Sequence, residues 1–150
     1  MFEWNSLDRF RLAQKSGYQQ ALREIRLGQK QSHWMWYIFP QLRGLGLSMM
    51  SCFYGIRDLD EAKEYLADPV LGKNLNEISA ILYNLPESNP VNIFGTIDAV
   101  KLKSSMTLFA YADSDPDSIF VNILEKYFGG MQDLVTVELL ISNNNGGNGK

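Results

Sequence analysis

The residues able to do chemistry fall into two short stretches of the chain. The first is Ser32-His-Trp-Met-Trp-Tyr-Ile-Phe-Pro-Gln41, in which four of the six residues from Trp34 to Phe39 are aromatic and the only histidine, His33, stands directly before them. Tryptophan faces stack flat ligands such as bases, each stack contributing about 1–3 kcal/mol. An imidazole with an ordinary pKa of about 6.5 serves as general acid, base or donor. The second stretch runs from Phe94 to Phe109 and carries Asp98, Lys101, Ser104, Ser105 and Thr107. At the helical period Asp98, Lys101 and Ser105 share one face about 60° wide. On that face Lys101 and Ser105 would hold an anionic group, and Asp98 would orient Lys101 or act as a base. Lys101 and Ser105 also have the one-turn spacing of a Ser–Lys nucleophile pair. The candidate catalytic residues are therefore His33, Asp98, Lys101 and Ser105. Trp34, Trp36, Gln41, Tyr54, Ser104 and Thr107 are the candidate ligand-binding residues. A plainer reading stands beside this one. Aromatic clusters are usually core, an Asp98–Lys101 pair would lock a buried helix, and Ser105 would bond a backbone carbonyl.

Composition narrows the alternatives. The chain has 150 residues, 45% apolar and 21% charged, the profile of one globular domain. One cysteine, Cys52, and one histidine leave no intramolecular disulfide, no cysteine zinc site and no His-pair metal motif. No cofactor motif is present, and Cys52 reads as a core residue. Residues 1–57 hold eight Lys/Arg and three Asp/Glu, whereas residues 58–150 hold six and fourteen. Such asymmetry marks either two halves that attract each other or an anion-binding half. With a pI of about 5.1 and no run of basic residues, nucleic acid is not an expected partner. No apolar stretch reaches the ~18 residues of a membrane span. The opening Met-Phe-Glu-Trp-Asn lacks the features of a secretory signal, which with the free cysteine points to the cytoplasm.

Hydrophobic spacing supplies the elements that would position these residues. Leu7, Phe10, Leu12 and Ala13, then Tyr18, Ala21, Leu22 and Ile25, predict helices over 7–15 and 18–27, broken or bent at Gly17 and ended by Gly28. Ser32 would cap a short helix that Pro40 stops. Gly44-Leu-Gly46 with Ser48 reads as a turn first, although its N–H groups could meet an anion. A segment over 48–55 is helical or irregular. Asp58-Leu-Asp-Glu61 has the form of a capping box and opens 59–66. Asp68-Pro69 opens 69–84, where Gly72 implies close backbone packing. Thr96 would cap 97–112, a helix apolar nearly all round and therefore central. Asp115-Pro116 opens 116–128, which Gly129-Gly130 ends. Residues 133–141 have helical spacing, with enough β-branching to permit a strand. The polar tail from Asn143 to Lys150 has nothing to bury and is expected to be disordered. The expectation is a mainly α, all-α, multihelical bundle over 1–142.

The two chemical stretches also carry a family likeness. Arg9-Phe10, Ala13-Gln14, Tyr18, Ala21-Leu22, Ile25, the His33-Trp-Met-Trp36 string, Gly44-Leu-Gly46, Tyr54-Gly-Ile56, Pro69-x-Leu71-Gly72, Phe94-Gly95, Asp98, Lys101-Leu102 and Ser104-Ser-Met-Thr-Leu-Phe109 resemble the domain-of-unknown-function family numbered 1810. The likeness covers residues 7–141 and implies a mainly helical fold, with no established activity. The family pattern has His-Pro before the Leu-Gly step and Arg after it. Here Asp68-Pro69 and Lys73-Asn74 occupy those positions. A site that used that His or Arg would be lost.

The functional expectation is binding of a small anionic ligand of nucleotide or ADP-ribose type in an aromatic-lined pocket, with or without a reaction on it. The competing expectation is a non-catalytic protein–protein interaction module with exposed tryptophan anchors. A basic amphipathic 7–27 helix lying on a membrane surface is a third, supported only by a slight excess of positive charge.

Overall fold

The structure, a computed structural model, describes residues 6–148, with side chains described through position 142. The disorder expected from Asn143 onward falls outside those described side chains. Among the described residues the fold is all-α. Its helices are α1 (Asp8–Arg26), α2 (Met35–Ile38), α3 (Met49–Tyr54), α4 (Leu59–Ala67), α5 (Leu71–Tyr83), α6 (Pro90–Ala112), α7 (Ile119–Phe128) and α8 (Leu134–Asn148). The one extended contact among the described residues is an isolated parallel bridge between Leu42 and Ile56.

Most boundaries follow the punctuation of the sequence. Ser48 accepts a hydrogen bond from Ser51 N and caps α3, and Asp58 accepts from Glu61 N and caps α4. Asp68 Oδ2 accepts from Val70 N and Leu71 N at the start of α5. Gly129 ends α7 in the left-handed conformation that glycine adopts without strain. Asp133 Oδ2 accepts from Thr136 N, and the last segment is helix rather than strand.

Four boundaries depart from expectation. Gly17 does not break the first helix, and α1 runs through it unbroken. A Cβ at Gly17 would lie 2.5 Å from the Tyr37 hydroxyl, so the missing side chain makes room for α2 instead of bending α1. Ser32 does not cap α2, because its hydroxyl donates to Glu24 Oε2. The sixth helix begins at Pro90 under an Asn89 cap, six residues before Thr96, and is kinked at Gly95, whose φ is 80°. Proline at the first helical position supplies the preset φ that starts it. The seventh helix starts at Ile119 under a Ser118 cap, because Asp115 instead accepts from Asp117 N in the preceding turn.

Helix α6 packs mainly on α4 and α7, and α5 packs on α1, α4 and α7. From Leu102 to Phe109 every α6 residue except Lys103 is buried. Nearer its start the expectation of an all-round buried helix fails, since Ile97 and Val100 face solvent. The close approach of α4 and α5 needs Gly72, because a Cβ there would sit 2.0 Å from the Leu66 carbonyl oxygen. Cys52 is exposed on α3 and is not a core residue. The charge asymmetry closes across the two halves of the chain, through Arg9–Glu61, Arg11–Asp68 and Lys30–Asp98 pairs.

Candidate functional site

The sequence-predicted residues separate into three environments. Asp98, Lys101, Trp34 and Trp36 do meet, at the junction of α6 with the α1–α2 connection. Asp98 lies 2.8 Å from Lys30 Nζ and 3.6 Å from Lys101 Nζ. Lys30 sits over the Trp34 ring and Lys101 over the Trp36 ring, at 5.0 and 5.3 Å from the centroids. This is a cation–π and ion-pair lattice whose tightest contact, Lys30–Asp98, the helical wheel could not show. Trp34 is 1% exposed, so neither ring face is open to a ligand. Its indole N–H donates to Glu24 Oε1 at 2.9 Å. Trp36 is half-buried, and His33 beside it is exposed.

Ser104, Ser105 and Thr107 lie in the second environment, the interior. Ser104 donates to the Val100 carbonyl, and Thr107 donates to the Lys103 carbonyl while accepting from Asp133 N. The Ser105 hydroxyl is buried without a hydrogen-bond partner. Gln41 and Tyr54, in the third, are half-buried. The Gln41 carbonyl accepts from Ile56 N in the bridge, and Tyr54 packs against Phe10, Tyr37 and Phe53.

Two buried carboxylates hold this region together: Glu24, which the sequence did not single out, and Glu61, which it marked only as part of a capping box. Glu24 accepts from Gln20, Gln31 N, Ser32 N, Ser32 Oγ and the Trp34 indole. Burial opposes its charge, but these donors outweigh burial and lower its pKa to about 2. Glu61 pairs with the fully buried Arg9 at 3.0 Å and with Arg57 at 3.2 Å. Arg9 in turn donates to the carbonyls of Ser6, Phe53 and Gly55. Glu24, Glu61 and Arg9 are all matched by the protein itself.

A cavity of about 580 Å³ lies elsewhere, between α1 and α5. Volumes of roughly 300–1,000 Å³ are usual for small-molecule sites. Its lining contains Arg11, Lys15, Arg26 and Lys73 with a single carboxylate, Glu77. Arg11 is held by Asp8 and Asp68. Burial opposes the Asp68 charge, but the bonds from Arg11, Leu71 N and Val70 N together with the Arg11 charge outweigh it and keep the carboxyl below its usual range. Lys15, Arg26 and Lys73 are exposed and have no ion pair among the described residues.

The groove floor is a built polar network. Gln14, nine-tenths buried, donates to the Tyr37 carbonyl at 2.8 Å and to the Tyr65 hydroxyl at 2.9 Å. Its carbonyl oxygen accepts from Asn74 Nδ2 at 2.9 Å. The Tyr18 hydroxyl lies 2.5 Å from Glu77 Oε1 and 3.1 Å from the Asn74 carbonyl. Burial, then the bond to Glu77, pushes the Tyr18 pKa well above the ordinary phenol range, so the phenol stays protonated and donates. Arg11, Lys15, Gln19 and Arg26 form one stripe about 80° wide at the helical period. That stripe was readable in the sequence. Its meeting with Lys73, Asn74 and Glu77 was not. The positions that depart from the family pattern, Asp68 and Lys73-Asn74, border this groove: Asp68 anchors Arg11, while Lys73 and Asn74 line the cavity.

A second cavity, of about 490 Å³, lies between α4 and α8. It is lined by Leu59, Val137, Leu140 and Ile141 with Asp58 and Asp60 at its edge. No group of three His, Cys, Asp or Glu among the described residues could hold a metal ion. No helix among them is long and apolar enough to cross a membrane.

Fold and groove together define a small all-α protein with a cation-rimmed cleft between its first and fifth helices. The chain belongs to the family described as protein of unknown function (DUF1810), whose pattern matches residues 4–140. It is similar to a solved structure, the conserved hypothetical protein Rv1873 from Mycobacterium tuberculosis, with 46% sequence identity and a TM-score of 0.87. That likeness covers 90% of this chain and 96% of the mycobacterial one. Comparison with curated proteins finds no match.

Proposed function

We propose that this protein binds a small anionic ligand of nucleotide or ADP-ribose type, and that the groove between α1 and α5 is where it binds. The observation that carries this reading is the charge balance of the groove. Lys15, Arg26 and Lys73 surround a cavity of ligand size whose lining holds one carboxylate, Glu77, and none of the three is ion-paired among the described residues, whereas the Lys30–Asp98–Lys101 cluster supplies its own counter-ion. A concave surface with an uncompensated positive field concentrates anions. The exposed free thiol of Cys52 suits a reducing compartment, so the site of action is the cytoplasm.

A thermal-shift titration with nucleotides, NAD fragments and sugar phosphates tests the reading. A ligand at 100 times its Kd stabilises the fold by about 2.7 kcal/mol, a visible shift. The shift is expected to vanish in the Lys15→Ala/Lys73→Ala double variant and to persist in Lys101→Ala. Loss in Lys101→Ala alone would move the site back to the Trp36 face, and no shift with any anion would sink the proposal. The interaction-module reading draws on a different feature, the exposure of Leu47 (96%) and Met49 (88%) around the start of α3. It predicts a partner contact that Leu47→Ser/Met49→Ser abolishes and the groove double variant leaves intact.

A further inference from the structure

The groove offers two kinds of surface to a ligand, and they make different demands. Its rim is cationic, with the Lys15, Arg26 and Lys73 heads in solvent. Its floor offers acceptors on the buried Tyr18 and the half-buried Asn74, and Glu77 beside them is exposed like the lysines. Gln14 takes one N–H of Asn74, and Asn74 Oδ1, on the other edge of that amide, has no hydrogen bond among the described residues. The Tyr18 proton goes to Glu77 Oε1, which leaves Glu77 Oε2 and the lone pairs of the phenol oxygen unused. Gln14 spends both its N–H groups on Tyr37 and Tyr65 and accepts from Asn74, so the Asn74 amide is held from below, while the Tyr18 hydroxyl is held by Glu77 and the Asn74 carbonyl. A simple anion such as phosphate satisfies the rim and leaves these floor acceptors facing an acceptor. The complementary molecule carries negative charge at one end and several O–H donors at the other.

From this juxtaposition of an acceptor floor with a cationic rim we infer that the groove recognises a phosphorylated sugar. The phosphate lies against Lys73 and Lys15, and the sugar hydroxyls donate to Glu77, Asn74 and Tyr18. Glu77 is then the specificity residue and Lys73 the charge-binding one. A carboxylate that accepts from two neighbouring hydroxyls makes charge-assisted bonds, about twice as strong as neutral ones. The same carboxylate repels a bare phosphate. This inference rests on the groove being the anion site, as proposed above, and narrows what that site selects.

The test is calorimetric titration of the full chain with ribose 5-phosphate and, separately, with inorganic phosphate. Ribose 5-phosphate is expected to bind the tighter of the two. Glu77→Gln keeps the acceptor for Tyr18 and removes the carboxylate charge. It is expected to weaken ribose 5-phosphate about tenfold, a loss of about 1.4 kcal/mol, and to leave inorganic phosphate unchanged or tighter. Lys73→Ala is expected to weaken both probes. Equal loss of both probes in Glu77→Gln would overturn the sugar inference while the anion site stands. Binding of both probes at equal strength to the wild type would do the same. An unaltered response to either probe in Lys73→Ala, or no binding of either, would overturn the groove reading itself. Thermal melts of each variant separate lost binding from lost folding.

Discussion

Helix α1 contributes polar groups to two regions, and they are treated in opposite ways. Arg9 and Glu24 point into protein, and each is met by protein. Arg9 has Glu61 and three carbonyls, and Glu24 has five donors from the residues that lead into α2 and from α1 itself. Lys15 and Arg26 on the same helix have no counter-ion among the described residues and border a cavity. A buried charge without partners costs several kcal/mol, so the first set had to be matched within the chain. Solvated charges carry no such requirement, and the second set is left available. The lesson concerns the aromatic segment as well. Trp34 looked like a ligand platform from its type and neighbours, yet Glu24 and Lys30 complete its surroundings.

That contrast can be broken or sharpened by substitution. The largest effect is expected at the buried pair. Glu61→Ala leaves Arg9 uncompensated in the core and should cost about 3–5 kcal/mol, read from the denaturant midpoint. A loss below about 1 kcal/mol would mean that the carbonyls around Arg9 suffice without the carboxylate. Trp34→Ala removes a sealed ring and should cost about 3–5 kcal/mol as well. Trp36→Ala, at a half-buried ring, should cost clearly less, and equal losses would contradict their different burial. Gly72→Ala comes next, at about 1–3 kcal/mol, because the new methyl meets the Leu66 carbonyl and the helices must move apart.

Acid titration sharpens the same comparison at Glu24. Its folded pKa of about 2 lies below the ordinary carboxylate value of 4.5, so the native state holds the charged form more strongly than the unfolded chain does. The contribution is fully present above about pH 4.5 and is lost as pH falls toward 2. Glu24→Gln should flatten the stability curve in that window and leave its neutral-pH slope alone. An unchanged acid limb would show that the donors around Glu24 do not hold its charge. The smallest effect on folding is expected in the groove. Lys15→Ala and Lys73→Ala should each shift stability by less than about 0.5 kcal/mol, as surface changes do, while weakening anion binding. A large stability loss there would put the groove lysines with the structural set.

Much of the architecture was legible because its signals are local. Helical spacing, Asp58 as a cap, Asp68-Pro69 and the Gly129 stop are decided within a turn or two of chain, and the all-α fold follows from them. The failures at Gly17 and at Cys52 have a common cause. What a residue touches across the fold is set by a distant segment, Tyr37 for Gly17, and for Cys52 by the solvent left beside α3. The candidate site shows the same division. The helical wheel placed Asp98 and Lys101 on one face correctly, but it could not supply Lys30, which takes the closer bond to Asp98.

By itself, then, the sequence determined the helices, the family pattern, the basic stripe on α1 and the presence of an unusual aromatic segment. Tertiary structure alone decided which charges are matched and which are left over. Pairing depends on distances between segments some fifty or more residues apart, as in Arg9–Glu61 and the Tyr18–Glu77 contact. Coulomb and hydrogen-bond energies change steeply over a few ångströms. A residue's type therefore shows that it can bear charge, and only its neighbours in the fold show whether that charge is already spoken for.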